Sequence, residues 1–194
     1  MRRGSFLFVL VSILLYSCSP ATSVPTPAPT GGSYPLSTTT GIQDVDHVLE
    51  AVAGGDPGQV ASLIRYTTAP CTKADGLGGP PKCRDGEADG TVLDVLPLIS
   101  SEGSSLRKDE IGKWAGIEQD ALYAIYRVSL NALNEQFYPA GDYMIIFTPG
   151  ENGDITVLHV AHGGIVRVDT LHADSLKAII ARDASEVILP PKTR

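Results

Sequence analysis

The apolar positions between residues 42 and 64 recur at helical spacing in two short runs. The first run ends at the pair Gly54-Gly55. The second follows Asp56, a typical N-cap residue, and Pro57, which suits the first position of a helix. We therefore predict two short consecutive helices. Their apolar stripes are Ile42, Val45, Val48, Leu49 and Val52 in the first helix, and Val60, Leu63 and Ile64 in the second.

The pattern changes period in the second half of the chain. Four segments are rich in β-branched and aromatic residues, as strands are: ALYAIYRVSL, DYMIIFT, DITVLHVA and IVRVDTL. The connectors PGENGD and HGG suit hairpins, because Gly and Asn tolerate positive φ. We predict an antiparallel meander of four strands, followed by a last helix in ADSLKAIIARD.

Two segments lie between the predicted helices and the predicted meander. The apolar segment TVLDVLPLIS predicts a strand end or an irregular edge at Pro97, since proline cannot donate to a strand ladder. The segment LRKDEIGKWAGI predicts a short helix with Ile111 and Trp114 facing inward. Helices that precede a run of strands indicate an α+β fold, with the N-terminal helices packed on one face of the sheet.

The N-terminus has the build of a secretory signal. Arg2 and Arg3 form a positive start, Phe6–Leu15 is an apolar core shorter than the ~20 residues of a membrane span, and a small residue precedes Cys18. The segment LYSC resembles the lipobox of bacterial lipoproteins, in which the cysteine is lipidated and becomes the new N-terminus. The resemblance implies Sec-type export, a signal peptide at residues 1–17 and acylation of Cys18, for example with palmitate. An ordinary cleaved signal is the alternative.

Residues 18–40 consist mostly of Pro, Ser, Thr and Gly and contain no charged residue. Such a composition cannot bury enough apolar surface to fold, which predicts a disordered tether. The remaining 154 residues, 41–194, are enough for one domain with a core. We therefore expect a single lipid-anchored domain on the extracytoplasmic side of a cell membrane.

The chain is acidic, with a net charge of −7 from 15 basic and 22 acidic residues. Loss of Arg2 and Arg3 with the signal leaves 13 basic residues and a net charge of −9. An acidic domain without a stripe of Lys and Arg is a poor binder of nucleic acid, and anionic lipid headgroups repel it. We expect no nucleic-acid partner, and attachment to the membrane only through the lipid on Cys18.

Cys71 and Cys83 lie in a segment rich in Gly and Pro, APCTKADGLGGPPKCRDGEADG. The alternatives for this segment are a metal knuckle, a redox loop, a calcium loop and a disulfide-closed loop. A zinc site needs four ligands and no histidine is close in sequence, while redox pairs are usually Cys-x-x-Cys on a helix. An even pair of cysteines in an exported protein favours a structural disulfide. The rigid loop that it closes is a candidate binding surface.

The acids Asp85, Glu87 and Asp89 alternate before Gly90 and resemble the first half of a calcium loop. However, Glu87 occupies a position at which Asp or Asn is usual, and the twelfth position holds Leu96, which has no carboxylate. An acidic turn that leads into a strand is the favoured interpretation. The three acids are kept as calcium candidates, and we predict no cofactor and no metal.

His159 is the histidine with the most informative setting. Alternation along DITVLHVA places it on one strand face with Val157 and other apolar residues, where a histidine is more often a hydrogen-bonded core residue than a catalyst. A general base needs a partner within hydrogen-bond reach. Asp169 on the next strand is the candidate partner, provided that the strand register brings the two together. The other three histidines are expected at the surface.

Two segments near the ends of the domain, AVAGGDPGQVASLI and HVAHGGIVRVDTL, resemble the NTF2-like family, which has a helix–GD–helix opening and a final G-x-I hairpin. The matching residues are Gly55, Asp56, Leu63, Gly164, Ile165 and Arg167. The resemblance implies a curved sheet and helices that enclose a pocket. That family uses the pocket for binding, for isomerase or dehydratase chemistry, or as part of a scaffold.

Two hypotheses follow for the function. The favoured one is a non-catalytic surface lipoprotein that binds a protein, a glycan or a small ligand through its pocket or its disulfide loop. The alternative is a small NTF2-like enzyme of the isomerase or dehydratase type that uses His159 with Asp169. A common cavity that contains both side chains would favour the enzyme.

Overall fold

A computed structural model describes residues 32–76, 78–100, 104–113, 121–132, 137–149 and 153–192 of the chain. The predicted signal peptide, Cys18, most of the predicted tether and Trp114 lie outside the described residues. The helices are α1 (Gln43–Gly54), α2 (Pro57–Ser62) and α3 (Leu176–Asp183), and 3-10 turns span Lys108–Lys113 and Ala173–Ser175. The strands are β1 (Thr67–Pro70), β2 (Val92–Ile99), β3 (Ser104–Arg107), β4 (Leu122–Val128), β5 (Tyr143–Phe147), β6 (Asp154–Ala161), β7 (Gly164–His172) and β8 (Ala184–Leu189).

The junction of the first two helices follows the predicted signals. Gly55 ends α1 with a φ of 67°, which glycine adopts without strain, and its N–H donates to the carbonyl of Val52 at 3.2 Å. Asp56 caps α2, because its carboxylate accepts a hydrogen bond from the N–H of Gly58 at 2.8 Å. The two predicted helices are confirmed. In the described part of the chain, no helix has the length and apolar character of a membrane span.

The α+β class is confirmed, since the helices accompany one open, mostly antiparallel sheet. The strand order is β1-β2-β7-β6-β5-β4-β8, and β3 also pairs with β2. Strands β4 to β7, which correspond to the four predicted segments, pair antiparallel in chain order. The predicted total of four strands is wrong, because the sheet has eight: β1, β2, β3 and β8 extend it on both sides.

The extension through β2 corrects the interpretation of Pro97. The strand continues through this residue to Ile99, so the predicted end at Pro97 is wrong. β1 pairs with β2 only as far as Val95, and β7 pairs with it from Leu98 onward. Pro97 therefore lies between the segments of β2 that pair with β1 and with β7, and it lies opposite Ser105 of β3.

The sheet is covered on both faces. Helices α1 and α2 pack on one face, and α3 packs on the other. The predicted helical core residues are buried on the first face: Val48, Leu49, Val52, Leu63 and Ile64. The second cluster includes Met144, Ile146, Val157 and Leu176. Because successive side chains of β6 point to opposite faces of the sheet, Leu158 lies on the first face and His159 on the second.

Residues 32–40, the described end of the predicted tether, contact the domain. Tyr34 pairs with Leu122 at the start of β4, and Leu36 packs against the core of the first face. The carboxylate of Asp46 accepts hydrogen bonds from the N–H groups of Thr40 and Gly41 at 2.7 and 2.9 Å. The chain therefore enters the domain along the side of the sheet formed by β4 and β8.

Candidate functional site

The register of β6 and β7 brings His159 and Asp169 onto one face of the sheet. Val157 lies opposite Asp169 and His159 lies opposite Arg167, so the three polar side chains are neighbours on adjacent strands. His159 Nε2 is 3.0 Å from Asp169 Oδ2. The contact that the sequence left conditional on register is therefore present. Arg167, expected only through a family resemblance, is the third member of this group.

Arg167 joins the group to the chain that lies over it. Its Nε and Nη2 donate to the two oxygens of Asp169 at 2.8 and 3.0 Å, which is a bidentate charge-assisted pair. Nη2 also lies 2.7 Å from His159 Nε2, and Nη1 donates to the carbonyl of Pro139 at 3.2 Å. His159 Nδ1 is 2.7 Å from the carbonyl oxygen of Ala140. Residues 139 and 140 thus form a cover over the three side chains.

The burial of His159, Asp169 and Arg167 limits the chemistry that these side chains can perform on a substrate. His159 and Arg167 are 0% exposed and Asp169 is 3% exposed. A proton on Nδ1 of His159 satisfies the Ala140 carbonyl and leaves Nε2 to accept from Arg167, so both ring nitrogens have partners within the protein. A general base must reach a proton of the substrate. The geometry instead suits a structural role, in which paired buried charges join β6, β7 and their cover.

A glycine permits the close approach of the cover. Gly141 has a φ of 73°, and a Cβ at this position would lie 3.0 Å from the carbonyl oxygen of Val160. The N–H of the next residue, Asp142, donates to that same carbonyl at 2.7 Å. The sequence Pro-Ala-Gly-Asp at residues 139–142 therefore holds the Ala140 carbonyl against the buried histidine.

The other three histidines are exposed, as expected. His162 and Gly163 form the two-residue turn between β6 and β7, both with positive φ, which matches the hairpin signal in HGG. His172 Nδ1 lies 3.4 Å from Asp174 Oδ2, and both side chains are more than half exposed. His47 is on the solvent side of α1.

Cys71 and Cys83 form the predicted disulfide, with an S–S distance of 2.02 Å and Cα atoms 4.9 Å apart. The N–H of Cys71 donates to the carbonyl of Thr91 at 2.8 Å, and the N–H of Gly90 donates to the carbonyl of Cys71 at 2.9 Å. The loop is therefore held at its base by a covalent bond and by a backbone ladder. The disulfide also occupies the two sulfur atoms that a zinc site would require as thiolates.

The three calcium candidates of this loop have different surroundings. Asp89 Oδ1 accepts a hydrogen bond from the N–H of Lys73 at 2.8 Å, and Asp85 is exposed. Glu87 approaches the disulfide, with an oxygen within 4.8 Å of both sulfur atoms. The three acids stay calcium candidates only, and the prediction of no metal at this loop stays a prediction.

A buried arginine fixes the disulfide loop to the sheet. Arg107, only 6% exposed, donates through Nη1 and Nη2 to the two oxygens of Glu87, at 2.7 and 2.9 Å, and Nη2 also donates to the carbonyl of Lys82. The hydrogen bond from Arg107, together with one from the N–H of Arg84, lowers the pKa of Glu87 to about 2. Glu87 is therefore an anion at neutral pH, held by a cation that β3 supplies.

A second arginine links the loop to the 3-10 turn after β3. Arg84 donates to Asp109 at 2.5 and 3.1 Å and to Glu110 at 2.7 Å. The hydrogen bond from Arg84 lowers the pKa of Asp109. Lys108 and Asp94 form a further, more exposed pair at 3.4 Å. Charges of both signs are thus arranged in pairs across this part of the surface.

These pairs line an open cleft of about 430 Å³, which we call the loop cleft. Its lining consists of Arg84, Glu87, Val92, Leu93, Asp94, Arg107, Lys108 and Asp109. The cleft lies where β3 ends opposite Val95, so that residues 92–94 of β2 extend beyond this partner. Val92, at 66% exposure, is its most exposed large apolar side chain.

A second cavity, of about 420 Å³, lies beside the connection of β4 to β5. Arg127 lines it but is already engaged, donating to Glu186 at 2.9 Å and lying 5.0 Å from the centre of the Tyr143 ring. Ala140 lines it as well, whereas His159 and Asp169 are not among its lining residues. The buried histidine is therefore separated from this cavity by its cover.

The chain matches no family model, no curated protein and no solved structure. What the domain does must therefore be inferred from its own residues.

Proposed function

We propose that the protein is a non-catalytic binding module, held on the extracytoplasmic side of a membrane by a lipid on Cys18, and that a partner protein binds at the loop cleft. The observation that carries this proposal is the way the cleft is built. A disulfide, the pair of Arg107 with Glu87 and the pairs of Arg84 hold its walls in place. A wall fixed before binding loses little conformational entropy when a partner arrives.

The chemistry of the cleft favours a protein over the other partner classes. None of its eight lining residues is aromatic, so it has no flat ring on which a sugar could stack. Sites for small molecules are mostly apolar and bury most of their ligand, whereas this cleft is open and charged. Paired charges of both signs around an exposed valine suit the polar rim and apolar centre of a protein interface.

The buried His159–Asp169–Arg167 group supports a non-catalytic role. It offers no ring nitrogen to solvent, and all buried side-chain polar atoms of the described residues have hydrogen-bond partners. An acid–base catalyst would need an open path to a substrate. The alternative, an NTF2-like enzyme of the isomerase or dehydratase type, requires that the cover at residues 139–140 open. It is supported by the 3.0 Å contact of His159 with Asp169 and by the α1–α2 pair packed on the sheet.

A charge reversal in the cleft tests the proposal. Lys108 is exposed, and Lys108→Glu would place two carboxylates side by side with Asp94. Lys177→Glu, at an exposed position of α3, makes the same change of charge away from the cleft. We expect a protein that is retained by the wild-type domain and by Lys177→Glu to bind the purified Lys108→Glu variant at least tenfold more weakly. Equal binding by both variants would remove the loop cleft as the site.

A further inference from the structure

The side of the sheet at which the chain enters the domain is fixed by contacts from both termini. Gly32 pairs with Lys192, and Tyr34 pairs with Leu122 at the start of β4. The hydroxyl of Tyr34 donates to the carbonyl of Pro190 at 2.9 Å, and the Lys192 ammonium lies 4.3 Å from the centre of the Tyr34 ring. We call this side, formed by β4, β8 and these terminal residues, the tether edge.

The loop cleft lies at the opposite side of the sheet. It is built on β2 and β3, whereas the tether edge ends in β8, and the strand order places β7, β6, β5 and β4 between β2 and β8. Five spacings between neighbouring strands separate β2 from β8, which is about 24 Å. The two edges therefore lie at opposite ends of the domain.

The length of chain between Cys18 and Gly32 limits how the domain can turn. Residues 18–31, 14 in number, would have a root-mean-square span of about 20 Å if they form the flexible tether that their composition predicts. A lipid on Cys18 would then hold the tether edge near the headgroups. To turn the loop cleft toward the membrane, the same linker would have to stretch around a domain wider than its mean span, which costs chain entropy.

We infer that the protein stands with its tether edge toward the membrane and its loop cleft directed away from it, toward a protein partner that approaches from the aqueous phase. This inference rests on the proposed anchor at Cys18 and deepens the proposed binding role. It assigns the interaction to one end of the domain and makes the tether edge unavailable to such a partner.

Two exposed valines, one in the loop cleft and one on the tether edge, provide matched probe positions. Val187 of β8 is 54% exposed and Val92 of β2 is 66% exposed. The lipidated full-length protein, carrying a fluorophore on Val187→Cys or on Val92→Cys, is placed in phosphatidylcholine vesicles whose headgroups carry nitroxide quenchers. We expect at least twofold stronger quenching at position 187 than at position 92. Equal quenching, or stronger quenching at position 92, would overturn the inference.

A sedimentation assay on the same vesicles tests the proposed lipid anchor separately from the inferred orientation. The wild-type protein should cosediment with the vesicles and the Cys18→Ser variant should remain in solution. If the wild type cosediments and quenching is equal at the two positions, only the orientation is refuted. If the wild type fails to cosediment, the lipid anchor and the orientation fall together.

Discussion

Removal of the Asp169 carboxylate is the sharpest test of the role assigned to the buried group. Asp169→Ala would leave the Arg167 guanidinium, 0% exposed, without the carboxylate that now accepts two of its hydrogen bonds. Breaking one side of a buried ion pair costs about 3–5 kcal/mol. For a domain with about 5–15 kcal/mol of stability, that is a large fraction of the whole.

The expected loss of unfolding free energy can be expressed as a shift in the urea concentration at which half of the protein is unfolded. With a dependence on urea of about 2 kcal/mol per molar, a loss of 3–5 kcal/mol lowers the midpoint by about 1.5–2.5 M. Circular dichroism during urea titration measures this shift. The control is Glu186→Ala, which breaks an exposed pair with Arg127 and should cost at most about 1 kcal/mol.

A double substitution separates the lost pairing from lost packing. Arg167→Met combined with Asp169→Leu leaves no buried charge unpaired and should recover part of the stability that Asp169→Ala loses. The recovery is incomplete because His159 Nε2 and the Pro139 carbonyl lose their Arg167 donor. If Asp169→Ala instead unfolds at the same urea concentration as Glu186→Ala, the structural role is wrong. If Asp169 is dispensable for folding, the catalytic hypothesis for His159 and Asp169 is favoured instead.

Three further predictions concern the core and the disulfide loop. Leu63→Ala should destabilise the domain by about 2–5 kcal/mol in the same titration, because it leaves a cavity under α2, and an unchanged midpoint would contradict the packing of the helices on the sheet. Replacing both Cys71 and Cys83 by serine should cost about 3 kcal/mol, since the open loop regains conformational freedom in the unfolded chain; a loss under 1 kcal/mol would contradict this estimate. Because the pKa of Glu87 is lowered to about 2, the stability contributed by its ionised form is present above pH 4.5 and is lost as the pH falls from about 4.5 to about 2. Glu87→Gln should therefore flatten the dependence of stability on pH in that interval, as measured by thermal melts at several pH values, and an unaltered dependence would refute the role of its pair with Arg107.

The elements that could be predicted from sequence are those with strong local signals. Helical periodicity identified the residues of α1 and α2 that are buried, and Gly55 and Asp56 marked the junction between the two helices. By contrast, β8 follows directly after α3 and lies at the edge of the sheet, where only one neighbour stabilises it. Its six residues, ASEVIL, do not alternate between apolar and polar types, so their pattern did not indicate a strand.

The register between β6 and β7 limited how much of the buried His159–Asp169–Arg167 group could be predicted from sequence. Alternation along IVRVDTL already places Arg167 and Asp169 on one face, two residues apart, and this signal would have indicated an ion pair inside the sheet. The pairing of His159 with this face depends on the alignment of β6 with β7, which no local pattern specifies. Strand irregularity also limits prediction from sequence in β4. There, a register shift between Leu122 and Ala124 accompanies the packing of Tyr123 against the second cluster.

The loop cleft could not be found from sequence because its walls come from distant parts of the chain. Arg84 and Asp109 are 25 residues apart, and Glu87 and Arg107 are 20 apart. The acids near the second cysteine suggested a calcium loop because their partners were not visible in the local sequence. Once β3 lies beside β2, Glu87 is the anion of a buried arginine.

Photo-crosslinking in intact cells tests the binding role most directly. A photoreactive phenylalanine is placed at Val92 in the loop cleft or at Val187 on the tether edge, two exposed aliphatic positions of the same domain. The proposed function predicts a discrete protein adduct from position 92 that is lost when Lys108→Glu is added and is absent from position 187. The absence of an adduct at position 92, or the same adduct from both positions, would contradict a binding module that acts through the loop cleft.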